Sequence, residues 1–216
     1  MTQQTFQAVL ARLVVDPTYR DLVRSQGERA LPSDLNELQR QRLIFAAGNK
    51  GIDITGTLHK GFRLGKILSM LPLTCALLGN KRLAREVDLF WQQHSSRSFY
   101  YLEEALAFCD FIQKRLRAGL RIVYLEEVVE YESARLELQQ PLIGEDAPQP
   151  RQIRFSHDPE KLLVPLARGR RPRNVPKRSC LLAGSLGSDG SIEWAITPAD
   201  GNADAASQRD YSSDFA

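Results

Sequence analysis

The chain has 216 residues, enough for one large domain or one domain with a small appendage, and too few for several separate enzymatic modules. With 43% hydrophobic and 25% charged residues it has a globular composition, able to bury a core without disulfide or metal staples. Lys and Arg outnumber Asp and Glu by 29 to 26, and this small net charge of +3 conceals a strongly uneven distribution along the chain.

From the N-terminus, Phe6, Val9, Leu10, Leu13 and Val14 recur at helical spacing and predict an amphipathic helix over 3–14. Asp16-Pro17 is an N-cap followed by proline at the first helical position, opening a second helix that carries Tyr19, Leu22 and Val23 to Gly27. Ser33 or Asp34 is the expected cap of a third helix with Leu35, Leu38, Arg42 and Phe45, ended by Gly48-Asn49. The stretch GNKGIDITGTLHKG, 48–61, holds four glycines and no sustained period, which predicts an exposed loop. Helical spacing resumes through Leu64, Ile67, Leu68 and Leu71, and Pro72 breaks it. A short helix to Leu78 stops at Gly79-Asn80. Leu83, Val87, Phe90 and Trp91 mark the next helix, and a longer one covers about 99–118, with Gly119 at its end. The last runs to about Gln139, with Leu125, Val128, Val129, Glu132 and Leu136 along its inner stripe.

The charge pattern then changes sign. Glu126, Glu127, Glu130, Glu132, Glu137, Glu145 and Asp146 stand against Arg135 alone, whereas 151–178 carries Arg151, Arg154, Lys161, Arg168, Arg170, Arg171, Arg173, Lys177 and Arg178 against Asp158 and Glu160. Between the blocks lies PLIGEDAPQP, with helix-breaking prolines. The expected organisation is an all-α domain over 1–140, a linker over 141–150, a small sheet domain over 151–197 and a polar, flexible tail over 198–216. The fold class is therefore α+β.

In the sheet domain, Ile153 and Phe155 alternate with Arg154 as in a half-buried strand, and Asp158-Pro159 caps a short helix through Leu162, Leu163 and Leu166. SCLLAGSL, the turn residues GSDG and SIEWAIT form the clearest hairpin in the chain, with Ile192, Trp194 and Ile196 on one face. A sheet of about three strands leaves an edge to which another chain's strand can add.

The chemical motifs of catalysis are not found. His59, His94 and His157 lie far apart and outside metal-ligand spacing; His157 is expected to support a helix cap, and His59, in the glycine-rich stretch, is the better binding candidate. Cys75, Cys109 and Cys180, odd in number and with apolar neighbours, fit core packing in a reducing compartment. No GxSxG elbow, phosphate loop or GxGxxG occurs. Glu126, Glu127 and Glu130 read as a solvated face or one meeting a basic partner. The segment ARGRRPRNVPKR is suited to phosphates or to the carboxylates of an acidic peptide, and equally to a solvated linker. In SSRSFYYLEE, the consecutive Phe99, Tyr100 and Tyr101 cannot all face one core, which makes them and Arg97 candidate partner contacts. The N-terminus lacks the basic start and apolar core of a signal peptide, and no apolar run approaches the roughly 20 residues of a membrane helix, so a cytoplasmic location without membrane contact is expected.

Residues 73–138 carry a resemblance. Leu78-Gly79, Phe90-Trp91, the Ser-Arg-Ser-Phe run at 96–99 and Tyr131-Glu132 followed by Ala134-Arg135 resemble the small helical partner proteins of multinuclear non-heme iron-dependent oxidative enzymes, which modify cysteines in ribosomally made peptides. The likeness is to the partner of the 3-thiaglutamate pathway and, more distantly, to that of methanobactin synthesis; the basic 168–178 segment and the long polar tail depart from the methanobactin type. The resemblance implies a heterodimer in which a TIM-barrel oxidase supplies the iron and this chain, without a cofactor of its own, binds the precursor peptide and presents its cysteine. If the thiaglutamate likeness holds, the reaction is excision of the β-carbon of a C-terminal cysteine. The peptide contacts expected here are Leu181, Ile192, Trp194, Ile196, Arg170, Arg171 and Arg173, and the partner contacts His59, Arg97, Phe99, Tyr100 and Tyr101. The alternative reading is a nucleic-acid-binding regulator using 168–178, and a further one is a self-sufficient enzyme using His59 and the Glu126–Glu130 face.

Overall fold

A computed structural model describes residues 2–94, 101–139, 149–187 and 189–199. These form an α+β fold of helices followed by a small C-terminal sheet, as the sequence predicts. Met1–Gly65 and Lys66–Ala216 are two compact units, the second containing both helices and sheet. Most of the expected linker, and the tail beyond Ala199, lie outside the described residues. Among the described residues no helix is long and apolar enough to cross a membrane.

The first unit comprises α1 (Thr2–Val15), α2 (Pro17–Gln26), a 3-10 turn (Gly27–Ala30), α3 (Glu37–Gly48) and most of α4 (Lys50–Met70). Asp16 accepts the Tyr19 N–H and starts α2 as expected. The α3 cap is Asn36 rather than Ser33 or Asp34: its side chain accepts the Gln39 N–H while the Gln39 side chain accepts the Asn36 N–H, a reciprocal pairing that satisfies two orphan donors. Leu13, Val23, Leu43 and Ala47 are fully buried at the centre of this unit.

Gly48-Asn49 ends α3 as expected, but the rest of the stretch expected as a loop, 50–61, is helical and belongs to α4. One of its glycines answers to packing and not to a turn. At Gly56 a Cβ would lie 2.7 Å from the Val14 carbonyl oxygen, so the missing side chain lets α4 pass against the end of α1. Asp53 further ties α4 to α2, taking ion pairs from Arg20 at 2.9 Å and Arg24 at 2.8 Å. Several apolar side chains of α4 also point outward, with Ile54 and Leu58 61% and 68% exposed while Ile52 is buried, which erased the one-sided pattern.

In the second unit, α5 (Pro72–Gln93), α6 (Tyr101–Arg117) and α7 (Leu125–Leu138) precede β1 (Arg151–His157), α8 (Pro159–Ala167), β2 (Lys177–Leu186) and β3 (Ile192–Pro198). Pro72 opens α5 as a break from α4. Gly79, at φ 67 and ψ 161, interrupts α5 without ending it, so the stop expected there is a kink after which the helix resumes. The inner face of α5 and α6 brings Phe90, Phe108 and Phe111 together, with Phe90 and Phe108 edge to face at 5.3 Å. Arg115 of α6 forks onto Glu86 of α5 at 2.7 and 3.2 Å, pairing a carboxylate that is otherwise buried.

The sheet is antiparallel in the order β1-β2-β3. Ile153, Phe155, Cys180, Leu182 and Trp194 are buried on its inner face, and Asp158 caps α8 by accepting the Glu160 and Lys161 N–H groups.

Candidate functional site

Two hydrogen bonds fix how β3 faces. The Gly187 N–H donates to the Ser191 carbonyl at 2.7 Å, and the Ala199 N–H to the Ser179 carbonyl at 3.3 Å. Since hydrogen-bonded pairs alternate along an antiparallel ladder, the pairs between these ends that bond are Ser185 with Glu193, Ala183 with Ala195, and Leu181 with Thr197. The main-chain N–H and C=O groups of Ile192, Trp194 and Ile196 therefore point away from β2, toward the open edge. Pro198 obeys the same phase: it stands opposite Cys180 at a non-bonded position, where a missing N–H breaks no ladder bond. Among the described residues nothing pairs with the outer edge of β3.

The opposite edge is different. By the same phase the outward groups of β1 belong to Gln152, Arg154 and Ser156. A bulge follows Phe155, and Glu127 of α7 closes it by accepting the Ser156 N–H at 2.5 Å and the His157 N–H at 3.2 Å. The His157 ring adds Nδ1 at 3.0 and 3.2 Å from the two Glu127 oxygens, and Tyr124, at φ 67, packs edge-on against that ring at 4.9 Å. Glu127 and exposed Arg154 make this a guarded edge. The cleft here, about 370 Å³, is walled by Leu120, Ile122 and Val123 as well as the His157–Glu127 pair.

Side chains beside the β3 edge form a partly apolar surface. Trp194 lies against Tyr131 of α7, with ring centroids 5.0 Å apart, and rests on Gly184 of β2, where a Cβ would collide with the indole. Glycine is thus required by the ring above it. Trp194, Ile196, Leu182, Tyr131, Pro159 and Leu163 line a narrow apolar crevice between β3 and α8, with Glu160 at its rim. A strand added to β3 would project alternate side chains to this same side of the sheet.

Ile192, Trp194 and Ile196 thus share a face, with Trp194 buried and the other two half-buried. Leu181 is on the opposite face, half-buried. Arg170, Arg171 and Arg173 are exposed on the segment after α8 and do not line the crevice. Of the expected partner contacts, Arg97, Phe99 and Tyr100 lie outside the described residues. Tyr101 opens α6, exposed, with the Lys66 Nζ 5.6 Å above its ring. His59 is half-buried on α4, one residue beyond the exposed Leu58, and belongs to the first unit.

Burial silences the cysteines. It pushes the Cys75 thiol up to about 12 and raises Cys109 and Cys180 as well, so all three stay protonated packing groups near neutrality. The Tyr131 phenol is likewise pushed up to about 12. Among the described residues no group of three or more His, Cys, Asp or Glu side chains gathers to hold a metal ion.

Sequence reasoning missed the roles of Glu127 and Glu132. Glu127 read as part of a solvated face, and only the bulge in β1 reveals the orphan N–H that it serves. Glu132 lies on the inner stripe of its helix, which was the available signal: fully buried, it accepts the Leu73 N–H at 2.9 Å and the Thr74 N–H at 2.8 Å, capping α5. Compared with models of known protein families and with the curated proteins, the chain matches none of them.

Proposed function

We propose that this chain is the non-catalytic, peptide-recognising subunit of an iron-dependent oxidase that modifies a cysteine of a ribosomally made peptide. The observation that carries the peptide half is the open β3 edge, whose outward main-chain groups belong to Ile192, Trp194 and Ile196, beside the crevice under α8. Main-chain hydrogen bonds along that edge supply affinity for any extended segment, and the apolar side chains of Trp194 and Ile196 beside it favour apolar guest residues. The oxidase half rests on the resemblance of 73–138. In this reading α4 offers the oxidase its exposed Ile54 and Leu58 beside His59, apolar surface of the kind that partners cover.

The test uses the full chain co-expressed with the iron-dependent oxidase encoded beside it and that system's precursor peptide. A stable complex by size exclusion, and a mass change on the peptide only when both proteins are present, are expected. Modification by either protein alone, or no complex, rejects the assignment. Ile196→Pro deletes one outward N–H while leaving the ladder bonds of Ala195 and Thr197, and is expected to weaken peptide capture but not oxidase binding.

A further inference from the structure

The basic segment after α8 does not act alone. Its Arg171 guanidinium donates to the Leu77 carbonyl of α5 at 3.4 Å, two residues before the Gly79 kink. Lys81 and Arg82, both exposed, stand in the first turn after that kink. This bond ties the segment after α8 to α5, and the exposed cations Lys81, Arg82, Arg168, Arg170, Arg171 and Arg173 belong to the two stretches that it joins. None of these six makes an ion pair among the described residues, whereas Arg151 and Arg178 are paired with Glu137 and Asp158. Like charges held together without counter-charges repel. Lys81 and Arg82 also sit at the start of a helical segment, the end at which the backbone dipole disfavours cations. The arrangement opposes local stability and suits an anionic guest.

Its place in the unit is fixed. The Gly169 N–H donates to the Leu166 carbonyl and the Arg170 N–H to Pro165, so the first arginines belong to the closing turn of α8. Leu163, in the crevice beside β3, is on that same helix. At 1.5 Å per residue Arg168 begins the arginines about 7.5 Å beyond Leu163, a distance an extended chain covers in about two to three residues.

We infer that the two surfaces take one guest: a peptide whose extended segment pairs with β3 and whose flanking stretch, a few residues away, is rich in Asp or Glu. This rests on the peptide-recognition reading and adds the chemical class of the flank. Guanidinium groups suit it because they accept a carboxylate on two parallel N–H donors, and here most of the cations are arginines.

Fluorescence anisotropy with the full chain tests it, using labelled precursor peptide, a labelled deca-glutamate peptide, its deca-lysine counterpart and a short DNA duplex. Deca-glutamate and the precursor are expected to bind and deca-lysine not to. Replacing Arg170, Arg171 and Arg173 by Gln is expected to weaken both by about tenfold, and Lys81→Gln with Arg82→Gln by a few-fold. Ile196→Pro should weaken the precursor and leave deca-glutamate unchanged. If the arginine replacements leave precursor affinity intact while Ile196→Pro reduces it, the acidic flank is wrong and the strand-addition reading stands. If Ile196→Pro has no effect on the precursor, that reading fails. Tighter binding of the duplex than of deca-glutamate, with the steeper salt dependence of counterion release, overturns the inference in favour of a nucleic-acid surface. No binding of either polyanion leaves a solvated patch and overturns it equally.

Discussion

Gly184→Ala is the substitution for which the general rule and the local packing give opposite signs. Gly184 has an ordinary strand φ, so alanine meets no backbone strain, and the loss of unfolded-state freedom should by itself stabilise the fold by about 0.4–1 kcal/mol. Against this, the new Cβ falls on the Trp194 ring, 2.7 Å from Cη2 and 2.8 Å from Cε3, well inside the 3.5–4.0 Å at which carbon atoms rest. The indole cannot simply retreat, because Tyr131 packs against it at 5.0 Å. Overpacking of this kind costs about 1–3 kcal/mol, which exceeds the entropic gain. For a chain of this size the net loss lowers the melting temperature by roughly 2–8 °C. Measured in a Trp91→Phe background, so that Trp194 is the sole tryptophan, the variant should melt earlier by circular dichroism and show red-shifted emission as the indole is pushed toward water. A melting temperature equal to or above that of the parent, with unchanged emission, would mean that Trp194 does not rest on Gly184, and the crevice derived from that contact would go with it.

Other perturbations probe the framework and the partner surface. Glu127→Gln removes a charge that serves three donors at the β1 bulge, and about 1–3 kcal/mol of stability should be lost in urea titration; an unchanged midpoint would show that Glu127 does not hold the bulge. Burial is the largest influence on the Glu132 carboxyl and raises its pKa above the usual 4.5, although hydrogen bonds from Thr74 and Leu73 pull it down. With the folded value above the unfolded one, the native state binds more protons in that window. Its contribution is then fully present below about pH 4.5 and is lost as pH rises through the folded value. Glu132→Gln, a neutral stand-in for the protonated carboxyl that keeps an acceptor for α5, should lack this part of the pH slope; an identical slope in both proteins refutes the account. On the proposed assignment, Ile54→Glu with Leu58→Glu, both at exposed positions, should leave the melting temperature within about 1 °C and abolish co-purification with the proposed oxidase partner; retention of a complex would remove α4 from the proposed interface.

Local chemistry was legible where a residue acts on its near neighbours. Asp16-Pro17 and Asp158-Pro159 announce helix starts because the cap bonds reach only two or three residues along, and the alternation of Ile192, Trp194 and Ile196 announces a strand buried on one side. Legibility ended where the partner is distant. Gly56 reads as a loop residue because nothing nearby reveals the Val14 carbonyl that it must clear. Arg171 reads as part of a linear basic run, and the Leu77 carbonyl that ties it to α5 lies 94 positions earlier in the chain. The site was therefore half visible: the edge strand and the arginines could be named, while the crevice between β3 and α8 and the guarded state of β1 depend on long-range packing.

The choice between the two sheet edges follows from α7. Along this helix Glu127 holds the β1 bulge, Tyr131 backs Trp194, Glu132 caps the start of α5, Arg135 donates to the Met70 carbonyl at 2.7 Å, and Glu137 pairs with Arg151 at 2.8 Å. Each contact fixes an element without touching the outer edge of β3. The same helix thus occupies the bulged end of one edge, braces the sheet from behind and leaves the other edge with its main-chain groups already aligned. A strand arriving at β3 would meet a template whose own ordering cost has been met in folding, so the entropy lost on association is chiefly the guest's. This is the thermodynamic reason to expect recognition of a flexible peptide at β3 more readily than at the bulged end of β1, where Glu127 would first have to release the Ser156 and His157 N–H groups.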